Sequence, residues 1–214
     1  MTQPPPRDKA QGQPPRRKRR KEARPTEIVE AAFAVFCEHG YGKARVDDVA
    51  RQAGIAKGTV YLYYPNKQAL FQAVVEAKVT AAISKAAIMA DGFEGSSAEL
   101  LRRMVRNAYD NLVLTDAKLL MRIIIGEGHL FPEIQALYYE VGIKPGMDML
   151  DKVVERGVAR GEFRDGPARE FPRLIMAPGI MAAIWQMTFA RNEPIDMDRY
   201  FESHLDLVLN GLRA

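Results

Sequence analysis

Apolar residues recur at helical spacing along nearly the whole chain after its first 25 residues. A first helix should begin after Pro25 and end at His39–Gly40, because a glycine commonly follows the last helical turn. No segment alternates apolar and polar residues with a period of two, so we predict no strands and an all-α fold. The apolar face of this first helix is formed by Ile28, Ala32, Val35 and Phe36.

About nine helices are predicted in total. Three short ones come first, and a long one follows. The 132–159 helix contains Pro145–Gly146, where it can break. The predicted ranges are 26–39, 46–53, 57–63, 67–89, 97–115, 117–127, 132–159, 167–190 and 196–212.

The chain divides by composition into three parts. Residues 1–24 are rich in Pro, Gln and Arg and should form a disordered basic arm. Residues 25–70 are predicted to form a small three-helix domain, and residues 71–214 a larger helical domain. The net charge of +4 is uneven, since residues 1–25 carry +7 and the remainder −3. Such an arm often contacts nucleic acid, although it can also serve only to keep a protein in solution.

Two of the short helices are typical of a helix-turn-helix. The segments 46–53 and 57–63 are joined by a tight turn, in which Gly54 suits a left-handed backbone. The second helix should present polar side chains to a DNA groove, where lysine can donate to base edges and tyrosine to phosphates. These outward residues are Lys57, Gly58, Thr59, Tyr61 and Tyr63.

Residues 25–75 resemble the DNA-binding domain of the TetR/AcrR family of repressors. The resemblance covers about a quarter of the chain and rests on many matches at fixed spacing. The usual Ser or Thr cap of the second helix is replaced by Ala44–Arg45, and Ala56 stands where Ser is common. The matching residues are Phe36, Gly40–Tyr41, Asp48–Ala50, Ala53–Ile55, Gly58–Tyr61, Tyr63–Tyr64, Asn66–Lys67 and Leu70.

The resemblance implies a division of labour among the DNA contacts. Lys57, Gly58 and Thr59 are expected over base edges, while Tyr61, Tyr63 and Lys67 hold the phosphate backbone. Arg45 is a further candidate for a phosphate contact. Family members bind near-palindromic operators as dimers, with recognition helices about 34–36 Å apart.

The second domain has no sharp motif, so its ligand-binding residues are predicted from composition and helix geometry. Methionine is adaptable and suits apolar pockets, although any one methionine can equally fill the core. Pro178 should kink the helix that carries it and help to open a cavity. The predicted lining residues are Met104, Met121, Phe131, Met181 and Trp185, with His129 as a polar anchor.

The last two helices are predicted to form a homodimer interface. Each is apolar on more than one side, and nothing after them in the chain can cover the second side. Residues 174–190 are too short and too interrupted for a membrane span, so we expect no membrane contact. A lone cysteine, Cys37, fits a cytoplasmic protein without an internal disulfide.

The sequence therefore predicts a transcriptional repressor that a small, largely apolar or aromatic ligand releases from double-stranded DNA. Alternatives are a broad nucleoid-type DNA binder driven by the basic arm, and a regulator that answers a protein or redox signal. No nucleophile or acid–base set is visible, so we expect no enzymatic activity. We also expect no cofactor and no metal, because His, Cys, Asp and Glu do not cluster at ligand spacing.

Overall fold

The computed structural model of the protein describes residues 16–214, with side chains from residue 23 onward. These residues are almost entirely helical and include no strand, only an isolated bridge between Phe163 and Arg213. The all-α prediction is confirmed. Of the predicted basic arm, residues 1–15 lie outside the described part of the chain, whereas residues 16–24 are helical.

The first helix, α1 (Arg16–Lys43), begins earlier than predicted and passes through Pro25. Its backbone leaves the helical conformation at Gly40, where φ is +76° and ψ is 176°. This region of backbone space is essentially restricted to glycine. The predicted helix end at His39–Gly40 thus corresponds to a sharp break. All four residues of the predicted apolar face are buried: Ile28, Ala32, Val35 and Phe36.

The helix-turn-helix consists of α2 (Val46–Gln52) and α3 (Lys57–Tyr63). Gly54 adopts a φ of +64° in the turn between them, as predicted. Val49 and Val60 are buried in one apolar core together with residues of α1. The other side of α3 therefore remains free.

The long helix predicted over 67–89 runs as α4 (Lys67–Val75), a π-helical turn (Glu76–Thr80) and α5 (Ala81–Ala90). The Asn66 side chain caps its start by accepting a hydrogen bond from the Ala69 N–H at 2.8 Å. This rod connects α1–α3 with the larger domain.

The remaining helices agree closely with the predicted ranges. The predicted break at Pro145 is a π-helical turn instead, since proline has no N–H to continue the regular pattern. The predicted 167–190 helix is divided near Phe171–Pro172. The elements are α6 (Ser97–Ala108) with a π-turn (Tyr109–Val113), α7 (Lys118–Glu127), α8 (Pro132–Tyr138) with a π-turn (Tyr139–Ile143), α9 (Lys144–Ala159), α10 (Pro167–Glu170), α11 (Arg173–Thr188) and α12 (Met197–Leu212).

Two apolar cores hold the molecule together, and they do not follow the predicted domain boundary at residue 70. The first core belongs to α1–α4 but includes Leu120 and Ile123 from α7 and Ile134 from α8. The second lies among α5, α6, α9, α11 and α12. Helix α7 is thus part of the first core although it lies far along the chain.

Apolar side chains remain exposed on α11 and α12. No helix of the described chain is both long enough and apolar enough to cross a membrane. The exposed residues are Leu174, Ile180, Met181, Phe189 and Leu207.

Candidate DNA-binding surface and effector cavity

The outer face of α3 carries most of the predicted base-reading residues. Lys57, Gly58 and Tyr61 are exposed, and a Cβ atom built on Gly58 would meet nothing within 4 Å. A flat site of this kind lets a DNA backbone or base edge approach closely. Thr59 and Tyr63 are only half-buried, and Tyr63 packs against the first core.

Lys57 is paired within the protein. Its ammonium lies 2.9 Å from the Asp47 carboxylate of α2 and 6.0 Å from the centre of the Tyr61 ring. The hydrogen bond from Lys57 to Asp47 raises the pKa of the lysine, which stays charged. Because both partners are about half-exposed, water screens the pair and DNA can compete for the lysine.

Lys67 has a different position from the one predicted. Its ammonium donates to the carbonyl oxygens of Tyr41, Gly42 and Ala44 at 2.8, 3.2 and 3.3 Å. It also lies 4.5 Å from the centre of the Tyr41 ring, and burial lowers its pKa. All three N–H donors are used to hold the turn after α1, so we leave Lys67 out of the proposed phosphate contacts.

Arg45 stands at the start of α2 as an exposed residue with extended backbone. Its side chain makes no cap hydrogen bond, which leaves the guanidinium available to a phosphate. Asp47 and Asp48 in the first turn of α2 complement the positive helix end. The predicted role of Arg45 is thus compatible with its position.

Leu62 is a residue that the sequence analysis missed. Its side chain is 82% exposed, near the end of α3 and one turn after Gly58. In the sequence, position 62 is only an apolar residue between two tyrosines, which is also what a buried residue would look like. Its exposure can be seen only in the structure.

The second domain contains an apolar cavity of about 180 Å³. It lies where α5, α6, α7, α9 and α11 meet. The wall is built mainly from small residues and methionines. The lining residues are Ala82, Ile83, Ala86, Met104, Asn107, Ala108, Leu112, Val113, Ala117, Lys118, Met121, Tyr138, Gly142, Ile143, Gly146, Met147, Met149, Leu150, Met176, Gly179, Ile180 and Ala183.

Of the predicted ligand residues, Met104 and Met121 line this cavity. His129 does not, since it is exposed in the turn between α7 and α8. Phe131 packs edge-on against Tyr41, with ring centres 5.1 Å apart, and so belongs to the contact with the DNA-binding helices.

Helix α11 lines the cavity with a different face from the one predicted. Met176, Gly179 and Ala183 follow helical spacing on the cavity side. Met181 lies on the outer side and is 54% exposed. Trp185 donates its indole N–H to the Glu193 carbonyl at 2.8 Å, outside the cavity. The residues of this helix that line the cavity are therefore Met176, Gly179, Ile180 and Ala183 rather than Met181 and Trp185.

Three polar residues interrupt the apolar wall. Asn107 is hydrogen-bonded within the protein, since it donates to the Ala82 carbonyl at 2.8 Å and accepts from Asn111 at 3.0 Å. Lys118 donates to the Thr115 carbonyl at 3.0 Å. Burial raises the pKa of Tyr138 to about 12, so its hydroxyl stays protonated.

Cys37 is half-buried in the described structure. Burial raises the pKa of its thiol to about 11, so the reactive thiolate is scarce at neutral pH. This environment does not favour the redox-sensing alternative. Within the part of the chain with described side chains, no three His, Cys, Asp or Glu residues are placed to hold a metal ion.

These features are those of a DNA-binding regulator whose second domain contains a separate apolar cavity. Family comparison agrees in both parts of the chain: the pattern of bacterial regulatory proteins of the tetR family matches residues 28–74, and the tetracyclin repressor-like C-terminal domain matches residues 94–208. The second match alone spans more than half of the 214 residues. The protein belongs to the TetR family of transcriptional repressors.

Several known proteins resemble this chain over most of its length. The chain is 25% identical over 190 residues to the fatty acid metabolism regulator protein of Bacillus subtilis, covering 87% of this chain and 94% of that protein. It is also 25% identical over 214 residues to the transcriptional repressor KstR2 of Rhodococcus jostii, covering 99% and 98%. The crystal structure of FadR from Bacillus subtilis in complex with stearoyl-CoA superimposes with a TM-score of 0.71 at 22% identity, covering 88% and 99% of the two chains.

Proposed function

We propose that the protein is a homodimeric repressor that binds a near-palindromic operator and is released by a small, largely apolar ligand. The observation that carries this proposal is the separation of an open α3 face from an apolar cavity, with continuous helices between them. The α4–α5 rod packs in the DNA-binding core through Leu70 and Phe71 and lines the cavity through Ala82 and Ala86.

The DNA contacts in this proposal come from α3 and its surroundings. Lys57, Gly58 and Thr59 face base edges, while Tyr61, Tyr63 and Arg45 contact phosphates. The exposure of Lys57, Gly58, Tyr61 and Arg45 supports this assignment, and Thr59 and Tyr63 are half-buried on the same helix as the first three. The arm before Pro25 would add phosphate contacts, each of which steepens the salt dependence of binding.

The dimer in this proposal forms through α11 and α12. Their exposed apolar residues support it, because isolated monomers rarely leave such patches uncovered. Leu207 of α12 is 71% exposed. Substituting Leu207→Glu should give monomers in sedimentation analysis. Glu155→Lys, at an exposed position of α9, should leave the dimer intact.

The effector acts by binding the released conformation better than the DNA-bound one, which any ligand must do to shift the equilibrium. The apolar cavity supports a hydrocarbon-rich ligand. The bound stearoyl-CoA in the FadR structure from Bacillus subtilis is of this kind. A ligand in the cavity would displace the α4–α5 rod and change the spacing of the two recognition helices.

A selection of genomic DNA fragments by the purified protein at physiological salt tests this function. The expected result is a few enriched fragments that share a near-palindrome, and their neighbouring genes would indicate the effector. Broad recovery without a common motif would contradict the proposal and favour a nucleoid-type binder. Deleting residues 1–24 distinguishes the repressor from the nucleoid-type binder, because the arm should dominate DNA binding only in the nucleoid-type binder.

A further inference from the structure

Asp47 places a carboxylate beside the helix that is proposed to read DNA. It lies in the first turn of α2, and its side chain is half-exposed. Its Oδ2 atom is 2.9 Å from the Nζ atom of Lys57, the first residue of α3, whose side chain is half-exposed as well. This ion pair therefore joins the two helices of the helix-turn-helix where both are open to solvent.

The Asp47 carboxylate contributes little to the fold. Among the described residues its hydrogen-bond donor is the Lys57 ammonium and not a backbone N–H. The next residue, Asp48, also complements the positive end of α2, and it pairs with Arg51 at 3.0 Å. Because a half-exposed ion pair adds little stability, the position of Asp47 calls for a role in binding.

A carboxylate in this place is unfavourable for DNA binding in general, because it repels the phosphates. It accepts hydrogen bonds but donates none. In the major groove, only the amino groups of cytosine and adenine can donate to it. Asp47 can therefore offset its repulsion only opposite one of these two bases.

Lys57 narrows the choice to cytosine paired with guanine. One of its N–H groups bonds to Asp47, and within the described structure its ammonium has no second acceptor, which leaves two donors. Guanine presents two acceptors in the major groove, O6 and N7, whereas thymine presents O4 beside an apolar methyl group. A C·G pair thus matches both members of the ion pair, while an A·T pair sets a lysine donor against a methyl group.

The spacing of the ion pair also fits this base pair. The cytosine N4 amino group and the guanine O6 atom are joined to each other by an N–H···O hydrogen bond, whose usual length is about 2.9 Å. The Lys57 Nζ and Asp47 Oδ2 atoms are 2.9 Å apart. The two charged atoms can therefore meet the two base atoms side by side while the ion pair stays intact.

We propose that Asp47 is a specificity-determining residue, which together with Lys57 reads one C·G base pair in each half of the operator. Lys57 donates to guanine O6 and N7, and Asp47 accepts from cytosine N4. The inference rests on the proposed function, in which the α3 face contacts base edges. It adds to that function a residue of α2 and the identity of one base pair.

The test uses the full-length protein and the operator that it selects from genomic DNA. Each base pair of the operator is replaced in turn, and band-shift titrations measure the affinities of the unmodified protein and of Asp47→Ala. At one position of each half-site, replacement of C·G should weaken binding of the unmodified protein roughly thirtyfold. In Asp47→Ala this penalty should shrink to about fivefold, because only the lysine contacts remain.

Modified bases test the individual atoms at this position. N4-methylcytosine blocks the amino hydrogen that points into the major groove, so it should weaken binding of the unmodified protein and leave Asp47→Ala unaffected. 7-Deazaguanine lacks N7, so it should weaken binding of both proteins and leave Lys57→Met unaffected. Glu38→Ala removes an exposed carboxylate of α1 and should keep the full penalty at the C·G position.

The proposal is overturned if Asp47→Ala keeps the full penalty, or if it loses affinity evenly at all positions, as a purely structural residue would. It is also overturned if no C·G pair of the half-site responds to N4-methylation. Recovery of no common operator sequence would overturn the proposed function together with this inference. A specific operator whose base preferences are unchanged in Asp47→Ala would overturn only the role of Asp47.

Discussion

The Glu127 carboxylate accepts hydrogen bonds from the backbone N–H groups of Gly42 and Tyr41 at 2.6 and 3.2 Å. Glu127 ends α7, while Tyr41 and Gly42 lie in the last turn of α1, between the break at Gly40 and the helix-turn-helix. The opposite end of α7 lines the cavity through Lys118 and Met121. One short helix therefore touches both the apolar cavity and the last turn of α1, which precedes α2.

The Glu127→Ala variant should lower the free energy of unfolding by about 1–3 kcal/mol, because two backbone N–H groups lose a charged acceptor. Glu127→Gln keeps one acceptor oxygen and should cost less. Urea denaturation measures the change. For Glu155→Ala, at an exposed position of α9, the free energy of unfolding should remain within about 0.5 kcal/mol of that of the unmodified protein. Equal effects of the two alanine variants would show that the Glu127 contacts contribute nothing.

A second prediction concerns Gly40, whose backbone is in the region reserved for glycine. A Cβ atom at this position would also overlap the Glu127 carboxylate. Gly40→Ala should therefore cost about 3 kcal/mol or more. Gly54→Ala, which has a positive φ but no atom within 4 Å of the new Cβ, should cost only about 1–2 kcal/mol.

The Gly40 prediction can be separated from general backbone strain by a double variant. If the overlap with Glu127 matters, Gly40→Ala should cost less in a Glu127→Ala background than alone. Thermal and urea unfolding of the four proteins give the coupling energy. Additive effects would mean that the strain lies in the backbone and that Glu127 moves aside freely.

The sequence was sufficient for the positions of the helices because apolar spacing reports which face of each helix is buried. Ile28, Val35 and Phe36 are examples, and all are buried in the first core. The spacing does not report which neighbour covers that face. Met181 and Met176 have equal apolar character, yet only Met176 lines the cavity.

Residue roles that depend on distant segments were the least accessible to prediction. Lys67 was expected at a phosphate because it begins a helix beside the recognition helix, but its ammonium is held by carbonyls more than twenty residues earlier. Phe131 was expected in the cavity, but it packs on Tyr41. Both contacts arise from the return of the chain to α1, which local patterns do not encode.

Leu62 provides a prediction about operator sequence. The thymine methyl is the apolar feature of the major groove, so an exposed leucine on the recognition helix should contact it. Leu62→Ala should weaken operator binding about three- to tenfold. Replacing single thymines of the selected operator with deoxyuridine removes each methyl in turn, and band-shift titrations measure the effect.

The deoxyuridine series gives this prediction a direct check. At one position in each half-site, loss of the methyl should weaken binding of the unmodified protein and leave Leu62→Ala unaffected. Leu130→Ala, an exposed leucine in the turn after α7, should retain the full response. If the same thymines matter equally in Leu62→Ala, the contact is with another residue.

His204 and Tyr109 form a buried polar pair in the second core. The His204 Nε2–H donates to the Ile175 carbonyl at 2.7 Å, which leaves Nδ1 to accept from the Tyr109 hydroxyl at 2.9 Å. Burial lowers the pKa of His204 below its usual value of 6.5. The folded protein thus holds this imidazole neutral at a pH where the unfolded chain already takes up a proton.

Stability should therefore fall as the pH drops below about 6.5, by at most about 1.4 kcal/mol per pH unit for this group. The unfolded chain then binds more protons than the folded one, down to the lowered pKa of His204. Urea denaturation across this range should show a shallower decline for His204→Gln, which offers both an acceptor and a donor without titrating. Parallel curves for the two proteins would assign the pH dependence to other groups.

Gly146 provides a test of the effector cavity that does not require the natural ligand. This glycine lines the cavity within α9, and a Cβ there meets nothing within 4 Å. Gly146→Leu should fill the space and favour the helix by up to about 1 kcal/mol, so the fold should persist. Binding of an environment-sensitive anilinonaphthalene sulfonate dye should fall roughly tenfold, since the leucine occupies its volume.

Gly126→Leu makes the same change at an exposed position of α7 and should leave dye binding intact. Because operator binding is expected to survive in both variants, loss of dye binding in Gly146→Leu alone would locate the ligand between α9 and α11, and equal loss in both would place it elsewhere.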